Sequence, residues 1–506
     1  MACVGAAPPL PSSDVTMSGT DSAGTTASLP PTGSATSMGD ADSTVGCEPG
    51  TEGCACDQGQ CQAELSCVQE VCVPAGCGNG MPGPGEDCDD GNAMGGDGCE
   101  PDCTFTPGAA GMVAGRENTC AWTHAGEAVC WGRGEDGQLG HGVLRNIGAN
   151  EPARELGFID AGGFVVQMGA GDHFTCARYH SGDVRCWGIN LNGRLGQGKA
   201  LTAEAFGGAP GETPAALDPI VLGGAAIDLA VGREHACAVR EDGTVVCWGK
   251  GDFGRIGYGD TEDVGDDETP QDAGPVPLSA GDVVERVTTG RGHTCVLLQG
   301  GSIKCWGYNN HGQLGYDHGD DIGDDEGEVE ALVAVPVGGP VVRIEAGLEY
   351  TCAILSQGRL RCWGHNNNGQ LGQGNTMTAP PSAVAEDIPF VSFGGALVMD
   401  VAPADEHTCA LLEGGSVRCW GTGDFGKLGY SDDEDRLSPA DLDSVDFGTS
   451  VGVQISAGSR HSCVRRQDGM LTCWGAAELG RLGYGNANDI GDDEHPVLAG
   501  AVPFLP

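Results

Sequence analysis

The chain has 506 residues, of which 72 are acidic and 25 basic, a formal net charge of -47. A surface this acidic repels phosphate backbones and anionic lipid, so nucleic acid is excluded as an expected partner, and a basic protein ligand or a bound cation suits the charge better. With 39% hydrophobic residues but 89 glycines, a core is possible only in a turn-dense fold of short strands, and no stretch is long and apolar enough to span a bilayer as a helix.

In chain order, Met1-Ala2-Cys3-Val4-Gly5 comes first and resembles the end of a bacterial lipoprotein signal, whose cysteine is lipidated. Cys3 is therefore the lipidation candidate, with a stray cysteine in a tail as the alternative. Through 1–46 the residues are small or polar, with Leu10 and Leu29 among the few larger aliphatics, so a disordered tether is expected. Residues 47–103 then hold ten cysteines in 57 positions. A segment that short and polar must be held by disulfides instead of a core. Its cysteines divide into 47–76 (Cys47, Cys54, Cys56, Cys61, Cys67, Cys72) and 77–103 (Cys77, Cys88, Cys99, Cys103), each an even set. Zinc is the other use of clustered cysteines, but no histidine lies here and the spacings are not those of a zinc ribbon or finger. The second unit, with Cys77-Gly78-Asn79-Gly80, Asp87-Cys88-Asp89-Asp90-Gly91-Asn92 and Asp97-Gly98-Cys99, resembles a cysteine-rich repeat of exported myxobacterial proteins, which implies a surface or secreted setting.

A linker over 104–112 leads into 113–506, where one pattern recurs seven times with a period between 54 and 61 residues. Its cysteine pairs are Cys120 with Cys130, Cys176 with Cys186, Cys237 with Cys247, Cys295 with Cys305, Cys352 with Cys362, Cys409 with Cys419 and Cys463 with Cys473. Each second cysteine is followed at once by Trp-Gly and then by Gly-x-(Leu/Ile)-Gly or its equivalent. If the two cysteines of a pair stand on facing strands, the residue just past the hairpin midpoint is glycine in every copy: Gly126, Gly182, Gly243, Gly301, Gly358, Gly415 and Gly469. Glycine suits the left-handed residue that ends a three-residue hairpin loop. Directly opposed cysteines fall within disulfide reach. Each bond closes about 11 residues and contributes about 2.7 kcal/mol on the chain-entropy estimate. Seven such bonds call for an oxidising compartment.

A strand precedes each hairpin, such as Val341–Ala346, and an apolar run such as Val276-Pro277-Leu278 follows each long loop, giving around four short strands per repeat. That is the content of a propeller blade. Leu139, Leu195, Ile256, Leu314, Leu371, Leu428 and Leu482 are expected to pack between blades, and the apolar tail from Pro496 is expected to close the ring. The fold class is thus all-β: a seven-bladed β-propeller preceded by a small disulfide-rich module and a disordered tether.

The repeated Gly…His-(Thr/Ser/Ala)-Cys…Gly…Trp-Gly…Gly-x-Leu-Gly core resembles the regulator of chromosome condensation repeat family. The resemblance implies a seven-bladed propeller that acts by protein binding; one eukaryotic branch of the family promotes nucleotide exchange on a nuclear GTPase and engages chromatin. Transfer of that activity conflicts with the paired cysteines and the acidity. His235, His293, His407 and His461 hold the motif's histidine position, where Asn118, Phe174 and Tyr350 depart from it. Such unlike residues share no catalytic or metal-binding role, so packing or hydrogen bonding is expected of them.

Three acidic segments recur between blades: Asp263, Asp266, Asp267 and Glu268; Asp321, Asp324, Asp325 and Glu326; Asp489, Asp492, Asp493 and Glu494. Clustered carboxylates suit a hard cation, and Ca2+ is the candidate, although none matches the EF-hand loop and a solvated acidic loop or a turn cap is the alternative. No nucleophile elbow, His-Glu-x-x-His or phosphate loop occurs, so no catalytic residue is assigned and the chain is not expected to be an enzyme.

The leading expectation is a monomeric extracellular or cell-surface binding scaffold for a protein, basic by charge, or a glycan, anchored to an outer membrane only through lipidated Cys3. The alternatives are a calcium-stabilised structural surface protein, a nucleotide-exchange regulator and a secreted hydrolase. A scaffold requires exposed aromatic or arginine residues gathered on one propeller face; an enzyme requires a deep pocket with converging polar groups.

Overall fold

The facing-strand register read from the cysteines is the one observed. The computed structural model describes residues 88, 99, 104–198 and 204–505, with the backbone of 65–68 and 71–74. The chain divides into two units, before and after Pro107. In the first, Leu65–Val68 pairs antiparallel with Val71–Pro74, and Cys88 is bonded to Cys99. The tether over 1–46, Cys3 and the pairing of the remaining cysteines of 47–103 lie outside the described residues.

The second unit contains seven antiparallel sheets in sequence order, blades 1 to 7, spanning 109–132, 165–206, 226–249, 284–307, 341–364, 398–421 and 452–475. Each is a meander of inner, middle and outer strands; in blade 6 these are Val398–Pro403, His407–Leu412 and Val417–Gly421. In every blade the middle-strand cysteine stands directly opposite its outer-strand partner. All seven expected disulfides are formed: Cys120 to Cys130, Cys176 to Cys186, Cys237 to Cys247, Cys295 to Cys305, Cys352 to Cys362, Cys409 to Cys419 and Cys463 to Cys473, with Cα atoms 4.0–4.1 Å apart. The loop glycine is left-handed in every hairpin, from φ 70° at Gly358 to 87° at Gly301.

Two boundaries differ from the sequence reading. The inner strand of blade 1 is Ala109–Ala114, so the propeller begins inside the segment read as linker. Its Ala-Ala-Gly start carries no β-branched signal because the space is taken: any side chain at Gly111 would collide with the Trp122 ring. The apolar run read as a fourth strand makes a single bond to the outer strand, as Ile220 N–H to Val184 O (2.8 Å), Val276 N–H to Val245 O (2.8 Å) and Val335 N–H to Ile303 O (2.9 Å), and the two-residue ladder of Ala205–Phe206 in blade 2 belongs to the loop before that run. Pro277 and Pro336 follow at once, and proline has no N–H with which to continue a ladder.

Neighbouring blades are joined through the Gly-x-(Leu/Ile)-Gly turn. The carbonyl of its x residue accepts the next blade's tryptophan indole: Gln138 from Trp187, Arg194 from Trp248, Arg255 from Trp306, Gln313 from Trp363, Gln370 from Trp420 and Lys427 from Trp474, all at 2.9–3.1 Å. The seventh joint, Arg481 O from Trp131 at 2.9 Å, closes the ring by the same bond. These tryptophans are buried, as are the seven aliphatic residues assigned between blades. The turn's last glycine makes room for the indole; a Cβ at Gly257 would sit 2.7 Å from Trp306 Nε1, at a φ of 82° that side chains rarely adopt. The tail also seals this joint, with Val502 N–H bonded to Leu471 O of blade 7 and Pro503 O accepting from Arg154 N–H in the segment after blade 1.

A hydroxyl shares most of these carbonyls. Thr119, Thr175, Thr294, Thr351 and Thr408 donate to them at 2.8–2.9 Å, and Ser462 at 3.1 Å. Having donated, each hydroxyl is free to accept from the preceding blade, which explains the motif histidines: Nε2 of His235, His293, His407 and His461 lies 2.8–3.0 Å from Thr294, Thr351, Ser462 and Thr119. The departures follow the same rule. Tyr350 OH and Asn118 Nδ2 reach Thr408 and Thr175, while Phe174 precedes the blade carrying Ala236, which has no hydroxyl. Burial, with nearby cations such as Arg255 and Arg481 as the lesser cause, pushes His293 and His461 down to about 3 and His235 and His407 well below the ordinary range.

Trp306→Phe and Trp248→Phe open the same kind of cavity, but the first leaves Arg255 O its Thr294 bond while the second strands Arg194 O, so Trp248→Phe should cost about 1–2 kcal/mol more; urea unfolding midpoints compare them. The four histidines have folded pKa values below their unfolded value, so protons favour the unfolded chain and their contribution to stability is lost as pH falls from about 6.5 toward 3. His461→Gln retains a donor for Thr119 without the proton linkage, and should make the pH dependence of the midpoint shallower over that window.

Candidate interaction face

Middle strands begin where outer strands end, as in the pairs Asn118↔Gly132 and His407↔Gly421. The inner-to-middle turns and the turns directly after Trp-Gly therefore emerge on one face, with the hairpin glycines on the other. Three concentric rings of side chains result.

The innermost ring surrounds the channel mouth: Arg116, Asp172, Arg233, Arg291, Leu348, Asp405 and Ser459. Arg116 pairs with Asp172 (3.0 Å) and Arg233 with Asp405 (2.6 Å), so ion pairs span the opening. The channel, about 400 Å³ in volume, is lined by inner strands that bond to one another through side chains. Asp228 accepts Val287 N–H (3.0 Å), Thr288 accepts Ala346 N–H (2.9 Å) and Ser456 accepts Ala114 N–H (2.8 Å). Arg343 holds Asp400 (2.9 Å) and Glu345 (3.1 Å). Burial, opposed by Arg343, pushes Glu345 up to about 7 and raises Asp400. Among the described lining residues there is no histidine, cysteine or lysine, and these hydroxyls and carboxylates serve the joints between blades.

The middle ring is formed by the residue before the first glycine of each Gly-x-(Leu/Ile)-Gly turn. Four of these residues are left-handed: Asn192, Phe253, Phe425 and Leu479, at φ 58–64°. Asparagine tolerates that conformation; a bulky apolar residue there is strained by about 1–3 kcal/mol. Yet Phe253 and Phe425 are 43% and 40% exposed. Phe253 lies 4.9 Å from Tyr308, and the exposed Arg460 guanidinium stands 5.3 Å from the Phe425 ring. Apart from Leu479 the rest of the ring is polar: Glu234 meets Arg255 (3.3 Å), Arg194 and Lys250 (both 3.5 Å), and His173 meets Asp136 (3.0 Å). Between blades 4 and 5, His311, Glu349 and His365 converge.

The outer rim carries the acidic segments, and their residues divide by role. Asp263, Asp321 and Asp489 accept the N–H of Gly251, Asn309 and Ala477 at 2.9, 2.7 and 2.7 Å. Asn146 and Thr378 do the same in blades 1 and 5, so the position needs an acceptor and not a charge. This is the turn-cap role. The segment glycines Gly265, Gly323 and Gly491 lie against Gly193, Gly254 and Gly426 of the preceding blade, where a side chain would collide. Of the proposed cation ligands, Asp266, Asp267 and Glu268 converge, as do Asp492, Asp493 and Glu494, with oxygens within 4.8 Å. Burial first, then a hydrogen-bonded neighbouring acid, pushes Glu268 and Glu494 up to about 7. Asp324, Asp325 and Glu326 do not converge in this way; there Glu328 accepts the N–H of Gly323 (2.7 Å) and Asp325 (3.3 Å).

His311, Glu349 and His365 stand outside the repeated histidine position and carry no local motif of their own. Alignment of the repeats holds the signal: His311 is five residues after Trp306, Glu349 three before Cys352 and His365 two after Trp363.

A profile of the RCC1-like domain matches residues 149–502. The ultraviolet-B receptor UVR8 of Arabidopsis thaliana is 30% identical over 370 residues, 72% of this chain and 76% of the receptor. Human WBSCR16 superposes with a TM-score of 0.56 at 19% identity, covering 72% of this chain and 93% of that one. Prp20p of Saccharomyces cerevisiae, whose structure was determined together with its binding properties to Gsp1p and histones, superposes with a TM-score of 0.54 at 20% identity, covering 77% and 87%. Seven meander blades, the profile match and the likeness to the receptor agree: the chain belongs to the RCC1-like domain family.

Proposed function

We propose that the propeller is a non-catalytic protein-binding scaffold, and that it binds a basic partner through the face bearing Phe253 and Phe425. The observation that carries this reading is two strained phenylalanines turned toward solvent at positions where Asn192 shows an unstrained residue serves the fold equally well. Buried aromatic anchors ringed by polar groups are the energetic pattern of protein interfaces. Here the apolar and arginine-bearing centre is bordered by exposed acidic segments such as Asp266-Asp267 and Asp433-Glu434, which would steer a cationic partner and suppress acidic ones. Prp20p, of the same fold, has Gsp1p and histones as characterised binding partners, so a propeller of this shape is suited to protein ligands. Seven bonded cysteine pairs support an oxidising home, outside the cytosol or at the cell surface.

Replacing Phe253 and Phe425 by asparagine separates display from stability. The double variant should unfold at the same or a higher temperature than the parent, since strain is relieved, while capture of basic proteins from extracts of the source cells falls at least about tenfold. An unchanged set of captured proteins would remove this face as the binding site.

A further inference from the structure

We propose that His311, Glu349 and His365 form a Zn2+-binding site in the groove between blades 4 and 5. Each joint between blades presents three side chains at this height, one from the turn after the outer strand and two from the next blade. The sets at five of the other joints hold no such pair of imidazoles: Phe253, Gly292 and Tyr308; Phe425, Arg460 and Ala476; Asn192, Glu234 and Lys250; Asn368, Glu406 and Thr422; Leu479, Glu117 and Arg133. In the groove between blades 1 and 2 the equivalents are Asp136, His173 and Ile189, a carboxylate and a single imidazole. The pairing of two imidazoles with a carboxylate is thus not imposed by the repeat.

The geometry fits a chelate. The three ligand atoms lie within 4.8 Å of one another, and His311 Nε2 is 3.3 Å from Glu349 Oε2. Donors bound at 2.0–2.2 Å to one tetrahedral ion are about 3.3 Å apart, so this pair already has the required spacing and a side-chain adjustment at His365 completes it. The imidazole centroids are 4.6 Å apart. The surroundings hold the carboxylate, with Arg291 Nη1 bonded to its other oxygen, Oε1, at 2.7 Å; the hydrogen bond that Gln370 Nε2 donates to His365 Nδ1 (3.1 Å) has to give way as His365 turns to the ion. The cluster is half-buried, with His311 31% and Glu349 13% exposed, so an ion can enter and its fourth position faces solvent on the interaction face. Nitrogen donors select a borderline cation over Ca2+ or Mg2+, which take oxygen ligands. The proposal does not depend on the protein-binding reading.

Co2+, a coloured stand-in for Zn2+, tests it on the intact chain. At pH 7.5 one equivalent should produce the strong visible absorption of a tetrahedral nitrogen and oxygen site, Zn2+ should displace it, and the colour should fade on acidification as protons compete for the ligands. His365→Asn and Glu349→Gln should each weaken Zn2+ binding at least about tenfold without moving the metal-free unfolding midpoint. Glu349→Gln preserves shape and serves if the histidine variant fails to fold. Absence of stoichiometric Zn2+ binding, or full affinity retained in the folded Glu349→Gln and His365→Asn variants, would overturn the site.

Discussion

One main-chain carbonyl per blade joins the ring. It belongs to the x residue of Gly-x-(Leu/Ile)-Gly, and it takes the indole N–H of the next blade and, at six of seven joints, a hydroxyl as well. A buried carbonyl left unpaired costs more than a made bond contributes, so each blade needs its successor. Because the joint from blade 7 to blade 1 repeats the others, Arg481 O to Trp131 and Thr119, no blade is left at the end of a row, and the sheet edges that remain are short. The histidines are the second layer of the same device, orienting the hydroxyls and kept neutral by burial.

The cysteines act within blades and the carbonyls between them, and their combination produces a stiff display surface. With middle and outer strands cross-linked in every blade, the turns that follow Trp-Gly start from fixed points. Loops on a rigid frame bind without a large ordering cost. Strain at Phe253 and Phe425 can persist because the glycines on either side of the joint, Gly254 against Gly323 and Gly426 against Gly491, leave the turn no room to relax.

Most of the fold is legible in local patterns. Cysteines ten apart with a following Trp-Gly specify facing strands, and Gly126, Gly182 and their equivalents specify the loop. Legibility fails where a residue's role depends on another blade. The Ala109–Ala114 strand has weak local propensity and is defined by what it packs against, including Trp122 and Gly469. Asp263, Asp321 and Asp489 read as charge in the sequence, but their equivalence to Asn146 and Thr378 marks them as acceptors. His311, Glu349 and His365 are separated by up to 54 residues and meet only because consecutive blades abut.

The cross-linked ring and the proposed oxidising home are tested together by mapping peptides, without reduction, from protein trapped with a thiol-blocking reagent in its own cells. Seven cross-links, each joining cysteines ten residues apart, from Cys120 with Cys130 in blade 1 through Cys463 with Cys473 in blade 7, are the predicted result. Blocked free thiols at these fourteen positions, or cross-links joining different blades, would contradict it.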